Sequence, residues 1–530
     1  MFFRRIIKRK RAATGPKQVP LPHNYQEINP KLQENEKYLR QEFANTTDIV
    51  FREFYMGDIK CLAVWVDGLI NNRVSHDLFR SLMLDIPEEK LRRVPKPELT
   101  DYINQHFLPF YSTARVTDLT ELKRWILMAK MILLVDGCPI GLMLDAEATP
   151  MRGITEPVLE SVVAGPRDSF VESLRINTAL IRSRLGDVQL KSENFIVGRR
   201  SNTLVTLMYV EDLANPLIIE EARQRISRVD IDGVIDSSYL KEYIQDRKHT
   251  LFPLIKASER PDKAAADLLE GRFVVIVDGS PQILIAPTLF MEFLQSAEDY
   301  YLNPLVVWMI RVLRYLALFI ATNLPGLYVA VTTFHQELLP IPLVFVVAGA
   351  RETVPFPAFV EALTILVIFE LLWEAGIRLP QVVGAAINIV GALILGQAAV
   401  QAGLVSPAMV IVIGATAISN FALGSGYELA SSLRLIRVVF LIFGAVLGLY
   451  GIALVFLALL VHLAGLRSFG VPYLAPLAPM RPRELKDAMF RAPWWDLAYR
   501  PALIAGKDLT VSNTAPPEPP KTPVPRKPEN

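Results

Sequence analysis

The sequence predicts an α+β/α protein, in which a soluble N-terminal region of two similar α/β subdomains precedes a polytopic α-helical membrane domain. Three observations support this: strand-like and helix-like segments alternate in the N-terminal half, a turn motif recurs, and long uncharged runs follow. The predicted parts are a basic N-terminus with linker, subdomain 1, subdomain 2, the membrane domain, a cytoplasmic C-terminal segment and a disordered Pro-rich tail. They occupy residues 1–45, 46–155, 156–300, 301–470, 471–510 and 511–530.

Two predicted hairpins carry the same turn motif, V-D-G-x-P. The first spans Lys130–Leu144 with Asp136-Gly137 at its turn, and the second spans Phe273–Ile285 with Asp278-Gly279. Asp-Gly favours such turns because Gly adopts the positive φ that they need. A further predicted strand precedes each hairpin at a similar offset. We interpret the region as an internal duplication, with a chance match of short motifs as the alternative. A helix over Ser161–Arg184 is expected to open subdomain 2.

The predicted membrane domain contains long runs without Asp, Glu, Lys or Arg, namely Tyr315–Gln336, Leu379–Tyr427 and Val438–Leu466. A helix needs about 20 apolar residues to cross the hydrocarbon core, so the second run is long enough for two helices. Phe359–Ala375 is also long enough but contains three glutamates. Leu338–Ala350 is too short for an ordinary span, which leaves a re-entrant segment open. The sequence therefore predicts five spans, or six if the short segment crosses.

Basic residues do not decide between five and six spans. Arg311 and Arg314 place the N-terminal side in the cytoplasm, and the basic residues of the C-terminal segment favour the same side. Both assignments hold only for an even number of crossings. The basic residues at the N-terminus are not followed by an apolar stretch, so they do not form a secretory signal. They could contact anionic lipid or be disordered.

Several functional classes lack their signatures in this sequence. The two cysteines, Cys61 and Cys138, match no zinc spacing and are expected to be buried apolar residues. The net charge of +2 gives no basis for nucleic-acid binding. There is no phosphate-binding loop and no nucleophile elbow. We therefore expect no enzyme activity, no metal and no cofactor.

Three carboxylates in one apolar segment are the candidates for an ion path. Glu370 and Glu374 are one helical turn apart and share a face, whereas Glu361 lies on the opposite side of an ideal helix. A charge near the bilayer centre costs at least about 2.5 kcal/mol, so such residues face water or a partner. The alternative to cation attraction is ion pairing between helices, for which the candidate partners are Arg351, Arg378, Arg434 and Arg437.

Polar amides occur in the long uncharged run and extend the candidate ion path. Asn388 and Gln397 are the two amides that we assign to it. Amide side chains also hydrogen-bond between packed membrane helices, and packing is their more common use. Both interpretations are left open by the sequence.

Short motifs spread from Asp48 to Arg500 resemble the A subunits of GerA-type spore germinant receptors. In the soluble region they include Gly165-Pro166-Arg167 within residues 161–185, and Arg260-Pro261-Asp262. In the membrane region they include Val354-Pro355-Phe356-Pro357, the segment Phe369–Ala375 and Ser468–Tyr473. The resemblance assigns structural roles to the motif residues, which are Gly165, Pro166, Arg167, Arg260, Pro261, Asp262, Pro355 and Pro357.

The resemblance implies a multi-pass protein of the spore inner membrane with its N-terminal domain in the cytoplasm. It implies a homo-oligomer, a pentamer, that forms a ligand-gated channel for monovalent cations and triggers germination. The implied partners are a transporter-like B subunit that binds the germinant, a lipoprotein C subunit and membrane lipid. The alternative is a non-conducting scaffold that couples the B and C subunits to a separate channel. A secondary transporter ranks last, because the membrane region lacks the internal repeat of such folds.

Overall fold

The computed structural model describes residues 26–84, 91, 94–108, 113–147, 156–157, 160, 162–378, 396–423, 427–512, 514 and 516. They form two compact units, which divide between Thr149 and Pro150. Two short pieces are exchanged: Asn45–Thr47 belong to the second unit and Gly186–Val188 to the first. The predicted N-terminus before residue 26, the amide Asn388 and the end of the Pro-rich tail lie outside the described residues.

The first unit is built on a five-stranded antiparallel sheet with the strand order β1-β2-β4-β5-β3. Its helices and strands, in chain order, are α1 Leu32–Glu42, β1 Ile49–Met56, β2 Ile59–Val66, α2 Asn72–Leu84, α3 Leu99–His106, β3 Thr113–Val116, α4 Leu119–Leu127, β4 Met131–Val135 and β5 Gly141–Leu144. The predicted hairpin is present, since β4 pairs with β5. Cys61 and Cys138 are buried and do not form a disulfide.

The second unit begins with a sheet of the same plan, with the strand order β6-β7-β9-β10-β8. Its soluble part contains α5 Leu174–Arg182, β6 Leu190–Val197, β7 Thr203–Val210, α6 Pro216–Ser227, α7 Ser237–Ile244, β8 Lys256–Ser258, α8 Pro261–Leu269, β9 Phe273–Val277 and β10 Ile283–Ala286. Alternate residues of β9 enter two different core clusters, so both faces of the sheet are covered. Burial on both faces explains the continuous apolar runs of these strands.

The two sheets share one strand order, as an internal duplication predicts, and they share a helix cap. In the first unit Asp136 Oδ1 accepts a hydrogen bond from the backbone N–H of Leu32, at the start of α1. In the second, Asp278 Oδ1 accepts from the N–H of Leu174, at the start of α5. The partners are 104 positions apart in both cases. The turn aspartates therefore fix the helix that precedes each sheet, in addition to shaping the hairpin.

The predicted helix over Ser161–Arg184 is wrong in its N-terminal half, because the helix begins only at Leu174. Gly165 has a φ of +117°, which an α-helix does not allow. Pro166 follows it and lacks the N–H that a helix interior requires. The segment before α5 is therefore an irregular strap along the sheet.

The second unit continues into the apolar helices. They are α9 Pro304–Phe334, α10 Ile341–Arg351, α11 Ala358–Arg378, α12 Pro407–Phe421 and α13 Tyr427–Gly465. By length and composition, α9 and α13 could each cross a membrane. The number of crossings stays a prediction, since residues 379–395 lie outside the described part of the chain.

Helix α13 folds back on itself at Gly448, where φ is 60° and ψ is −140°. The hydroxyl of Ser432 donates to the backbone carbonyl of Leu251, and Thr250 Oγ1 lies 3.2 Å from His462 Nε2. Residues 432 and 462 thus meet neighbouring residues of one loop. At 1.5 Å per residue, a straight helix would separate them by about 45 Å.

The fold-back divides α13 into two antiparallel legs, residues 427–447 and 449–465. From sequence, Val438–Leu466 is interpreted as one span, whereas here it contains the bend and parts of both legs. Gly448 lies beside His335, which follows the far end of α9. The bend is therefore at the end of the helical region remote from the sheet, and both ends of α13 are close to the sheet.

The C-terminal segment after α13 packs into the core of subdomain 2. A short antiparallel pair, β11 Arg467–Ser468 and β12 Val471–Pro472, follows α13. The rings of Phe469 and Phe273 lie 4.9 Å apart. Further on, the N–H of Gly506 donates to the carbonyl of Leu213 at 2.6 Å. The segment therefore lies on the same side of the helices as the sheet, as an even number of crossings requires.

Helices α9 and α13 approach closely at two glycines. A Cβ at Gly326 would lie 2.6 Å from the carbonyl oxygen of Phe440, and a Cβ at Gly444 would lie 2.6 Å from that of Gly326. At these distances the two helix backbones are in contact, and no side chain fits at either glycine. Such contacts are common where membrane helices pack tightly.

Replacing Gly326 by alanine is expected to destabilise the helical part by about 1–3 kcal/mol, since the added methyl group overpacks the contact. Thermal unfolding of the purified full chain in detergent measures the effect as a lower midpoint. Gly414→Ala is the matched control, because a Cβ there meets nothing within 4 Å. Equal midpoints for the two variants would contradict the close approach.

Candidate functional site

The start of α9 is attached to the sheet by a buried ion cluster, which we call the joint and define as Asp299, Arg311, Arg314 and Asp487. Asp299 lies in a 3₁₀ turn before α9 and is 1% exposed. Its carboxylate accepts from Arg311 Nε at 3.0 Å and from Arg314 Nη1 at 2.8 Å. Arg311 and Arg314 are three residues apart in a helix, which places both on one face.

The joint also includes the C-terminal segment. The guanidinium of Arg311 donates to the backbone carbonyl of Asp487 and lies 3.4 Å from its carboxylate. Tyr315, one turn further along α9, donates to the carbonyl of Ala488 at 2.6 Å. Burying a charge costs several kcal/mol of desolvation free energy, which hydrogen bonds to the charged group can offset. Here three chain segments supply those bonds. A displacement of α9 would therefore disturb the 3₁₀ turn and the C-terminal segment together.

Both legs of α13 also meet the loop regions beside the sheet. Lys241 on α7 forms an ion pair with Glu428 at the start of the first leg. At the end of the second leg, the ring of His462 lies 6.1 Å from that of Phe252. Together with the joint, these contacts connect the sheet of subdomain 2 to three helix ends.

Glu361, the first of the predicted ion-path carboxylates, is completely buried at 0% exposure. It accepts hydrogen bonds from the N–H of Ser406, at 2.6 Å, and from its hydroxyl. Ser406 is the N-cap of α12, so Glu361 fixes the start of that helix. Arg351 Nε lies 3.9 Å from the same carboxylate. In the single chain this geometry is that of a helix-fixing residue.

Glu370 lies between α11 and the first leg of α13. Its carboxylate is 3.4 Å from Arg434 Nη1 and 3.7 Å from Arg437 Nη1. Arg437 is itself buried and donates to the backbone carbonyl of Ala321 on α9 at 2.7 Å. The geometry at Glu370 is thus the interhelical ion pair that the sequence leaves open as the alternative.

Two of the remaining candidates lie on the outside of the single chain. Glu374, one turn after Glu370, is exposed, and so is Gln397. The structure therefore does not bring together, within one chain, those predicted ion-path residues that it describes. Glu361 and Glu370 face inward to neighbouring helices, whereas Glu374 and Gln397 face outward.

The soluble motif residues form a clamp around the strap before α5. Arg260 is buried and donates to Asp262 at 3.0 and 2.7 Å, and to the carbonyl of Pro166 at 3.0 Å. Tyr301 donates to Asp262 at 2.6 Å, and its ring occupies the space where Gly165 would carry a Cβ. Burial raises the pKa of Asp262, but the hydrogen bonds from Arg260 and Tyr301 outweigh it and hold the pKa below its usual range.

The other motif residues have simpler positions. Pro261 is the first residue of α8, where a missing N–H costs nothing. Arg167 forms an exposed ion pair with Glu156 at 3.4 Å. Pro355 and Pro357 are exposed in the turn before α11, and the carbonyl of Pro357 accepts from the N–H of Glu361.

Sequence reasoning missed the joint, although its residues were visible. Asp299 belongs to Glu298-Asp299-Tyr300-Tyr301, a further motif of the family resemblance, and Arg311 was used only to assign the side of the membrane. The available signal was a pair of arginines one turn apart inside an apolar helix, which implies a buried acidic partner. Among the described residues, the histidines, cysteines and carboxylates form no group that could hold a metal ion.

Comparison with known proteins gives matches over nearly the whole chain. The family model described as "Bacillus/Clostridium GerA spore germination protein" matches residues 37–503. The chain is 41% identical to "Spore germination protein KA" of Bacillus subtilis (strain 168), over 91% of this chain and 88% of that protein. It is 34% identical to "Spore germination protein GerLA" of Bacillus cereus, over 92% and 98%.

One solved structure is also similar, namely the N-terminal domain of the A subunit of the Bacillus megaterium spore germinant receptor GerK3. It is 30% identical to this chain, with a TM-score of 0.40. The match covers 50% of this chain and 98% of that one.

Asp299→Asn is expected to destabilise the full chain by about 3–5 kcal/mol, since it leaves the buried guanidinium of Arg314 without its charged partner and removes one of the two carboxylates beside Arg311. The midpoint of thermal unfolding in detergent measures the loss. Glu298→Gln, at the partly exposed neighbouring residue, is the control and should change stability by no more than about 0.5 kcal/mol. Similar midpoints for the two variants would show that the joint does not hold the helix.

Asp262→Asn is expected to lower stability near neutral pH by about 3 kcal/mol, because it breaks the buried pair with Arg260. A carboxyl with a depressed pKa stabilises the fold above its unfolded pKa of about 4 and loses this effect as pH falls. The gap between wild type and variant should therefore narrow in acid. Arg167→Gln is the control, because that arginine side chain is 65% exposed in its ion pair. If the difference in stability between the wild type and Asp262→Asn did not change with pH, the low pKa assigned to Asp262 would be contradicted.

Proposed function

Because the chain belongs to the GerA family of spore germination proteins, we propose that it is the A subunit of a spore germinant receptor and forms an oligomeric, ligand-gated channel for monovalent cations. The match over residues 37–503 supports the receptor assignment. The exposed carboxylate of Glu374, on a helix of the apolar region, is the observation that carries the channel proposal.

The proposed location is the spore inner membrane, with subdomain 2 and the C-terminal segment both in the cytoplasm. By length and composition α9 and α13 could cross a membrane. Because α13 folds back at Gly448, each of its two legs would cross separately. The return of the chain to the sheet after Gly448 supports a common side for the two soluble parts. The basic residues Arg311 and Arg314, close to the sheet, agree with the cytoplasmic assignment.

Oligomerisation is proposed because, within the described part of the chain, the outer faces of α10, α11 and α12 carry exposed apolar side chains. Phe345, Leu371 and Ile411 are exposed large apolar residues, one on each of these helices. Such faces need lipid or other protein around them. We propose that copies of this chain, a pentamer, cover part of this surface, and that lipid, a transporter-like B subunit and a lipoprotein C subunit contact the remainder.

The ion path is assigned to the outward-facing polar residues. A symmetric ring would present one Glu374 per subunit, and a ring of carboxylates attracts cations. Gln397 is the second proposed lining residue, and the predicted Asn388 stays an untested member. Glu361 and Glu370 hold α11 to α12 and α13. Gating would be a population shift, in which a partner binds the open state more tightly and the joint transmits the change to α9.

The scaffold alternative also has an observation in its favour. Glu361 and Glu370 both contact groups of the same chain, Ser406 for the former and Arg434 and Arg437 for the latter. A protein whose carboxylates contact groups of its own chain need not conduct. In that case the chain would couple the B and C subunits to a separate channel.

Recording from the purified protein in planar bilayers, with its mass determined in detergent, tests the proposal. We expect cation-selective steps from a ring-sized oligomer. Glu374→Gln removes one carboxylate from every subunit of the ring. It should reduce the local cation concentration, and with it cation conductance, by about fivefold or more, since even one charge at contact distance in water is worth about 1 kcal/mol. Glu361→Gln should instead lower the midpoint of thermal unfolding.

Glu352→Gln is the control for Glu374→Gln, because Glu352 is exposed and lies outside α11. Its conductance should equal that of the wild type. A silent monomer, or an oligomer whose steps ignore Glu374→Gln, would contradict the assigned channel and favour the scaffold.

A further inference from the structure

A cavity of about 470 Å³ lies in the second unit between α8, the 3₁₀ turns before α9 and the C-terminal segment. This volume is in the range of small-molecule sites. Aromatic side chains form much of its lining, namely Tyr300, Tyr301, Trp494, Trp495 and Tyr499. We call this cavity the aromatic cleft.

One guanidinium group of the protein already lies over two aromatic rings of the cleft. The guanidinium carbon of Arg491 lies 5.3 Å from the ring centroid of Trp494 and 5.8 Å from that of Tyr300. The two rings are themselves 5.8 Å apart. A cation over an aromatic face is attracted by the ring quadrupole, most strongly over tryptophan. Trp494 is still 56% exposed, so it can contact a ligand.

Acidic side chains make the electrostatic potential in the cleft more negative. Glu270 lines it with a side chain that is 33% exposed and lies 2.9 Å from Arg272 Nη2. Burial raises the pKa of Glu270 to about 7, and the nearby carboxylates of Asp267, Asp487 and Glu292 act in the same direction against Arg272. A positive ligand beside such a carboxyl favours its ionised form, so ligand binding and ionisation of Glu270 stabilise each other.

The basic residues that line the cleft pair with acids, except Arg483, whose guanidinium carbon lies 6.0 Å from the ring centroid of Tyr499. Lys486 lies 2.7 Å from Asp496, and Lys263 lies 2.6 Å from Glu160. Arg500 lies 3.2 Å from Asp508. These pairs leave an anion little to bind, whereas the aromatic faces and Glu270 match a cation.

We propose that the aromatic cleft binds a small organic cation of the alkylammonium class, recognised by Trp494 and by the carboxylate of Glu270. Asp487 lines the same cleft and belongs to the joint, so an occupant touches a residue that contacts Arg311. The site is independent of the proposed conduction path, because the exposed carboxylate of Glu374 lies on α11, outside the cleft lining.

Titration of the full chain in a non-ionic detergent with choline, followed by tryptophan fluorescence, tests this site. We expect a saturable change with choline. The uncharged isostere of choline, in which a tert-butyl group replaces the trimethylammonium group, should give none. Glu270→Gln should weaken choline binding about tenfold, since it removes one charge-assisted contact.

Trp494→Leu should abolish the fluorescence change, whereas Trp308→Leu should preserve it. Trp308 is the matched control because it is 47% exposed and lies outside the cleft lining. Isothermal titration calorimetry reports binding independently of the tryptophans, and thermal unfolding shows whether each variant is folded. Equal binding of the isostere, or no saturable heat with choline, would overturn the proposal.

Choline keeps its charge at every pH, so any pH dependence comes from the protein. Choline affinity should rise as the pH passes upward through about 7, where Glu270 becomes ionised beside Arg272, Asp267, Asp487 and Glu292. Glu270→Gln should remove this rise. A pH-independent affinity in the wild type would overturn the role assigned to Glu270, and with it the proposal.

Discussion

The buried carboxylate of Asp299 is the interaction on which the arrangement of the second unit depends. It accepts from Arg311 and Arg314 of one helix, and Arg311 continues to the backbone and carboxylate of Asp487. Two guanidinium groups inside protein are tolerated only with such a partner. The pairing therefore fixes where α9 leaves the sheet, and the close approach at Gly326 and Gly444 then positions α13.

Local patterns in the sequence predicted the hairpins and the repeat of the soluble region, but not its strand order. Both V-D-G-x-P hairpins and the repeat of the sheet could be predicted, because turn residues and strand runs are short-range signals. The start of α5 was misplaced because the Gly165-Pro166 break lies within an otherwise helical spacing. The fold-back at Gly448 could not be predicted, since a uniformly apolar run gives no sign of one positive φ. The joint likewise pairs Arg311 with a residue 176 positions away.

The candidate carboxylates show the same limit at a single site. Sequence spacing groups Glu370 with Glu374 and sets Glu361 opposite, whereas in the structure Glu361 and Glu370 contact neighbouring helices and Glu374 is exposed. Spacing also cannot reveal that Ser406, 45 positions later, donates to Glu361 at a helix start. The ion pair of Glu370 with Arg434 could be predicted as the alternative to cation attraction, because a charged residue in an apolar segment needs an opposite charge nearby. Among the described candidates, Glu374 and Gln397 have the outward position that the proposed oligomeric path would use.

In the proposed topology the chain crosses the membrane, turns back at Gly448 and returns its C-terminal segment to the side of subdomain 2. Single cysteines at Arg200, Glu337 and Lys507, placed in a Cys61→Ser, Cys138→Ser background, can be labelled with a membrane-impermeant maleimide in sealed vesicles. We expect Arg200→Cys and Lys507→Cys to react with the maleimide from one side of the vesicle membrane. Glu337→Cys, near the Gly448 bend, should react from the other side. Labelling of all three from one side would contradict this topology.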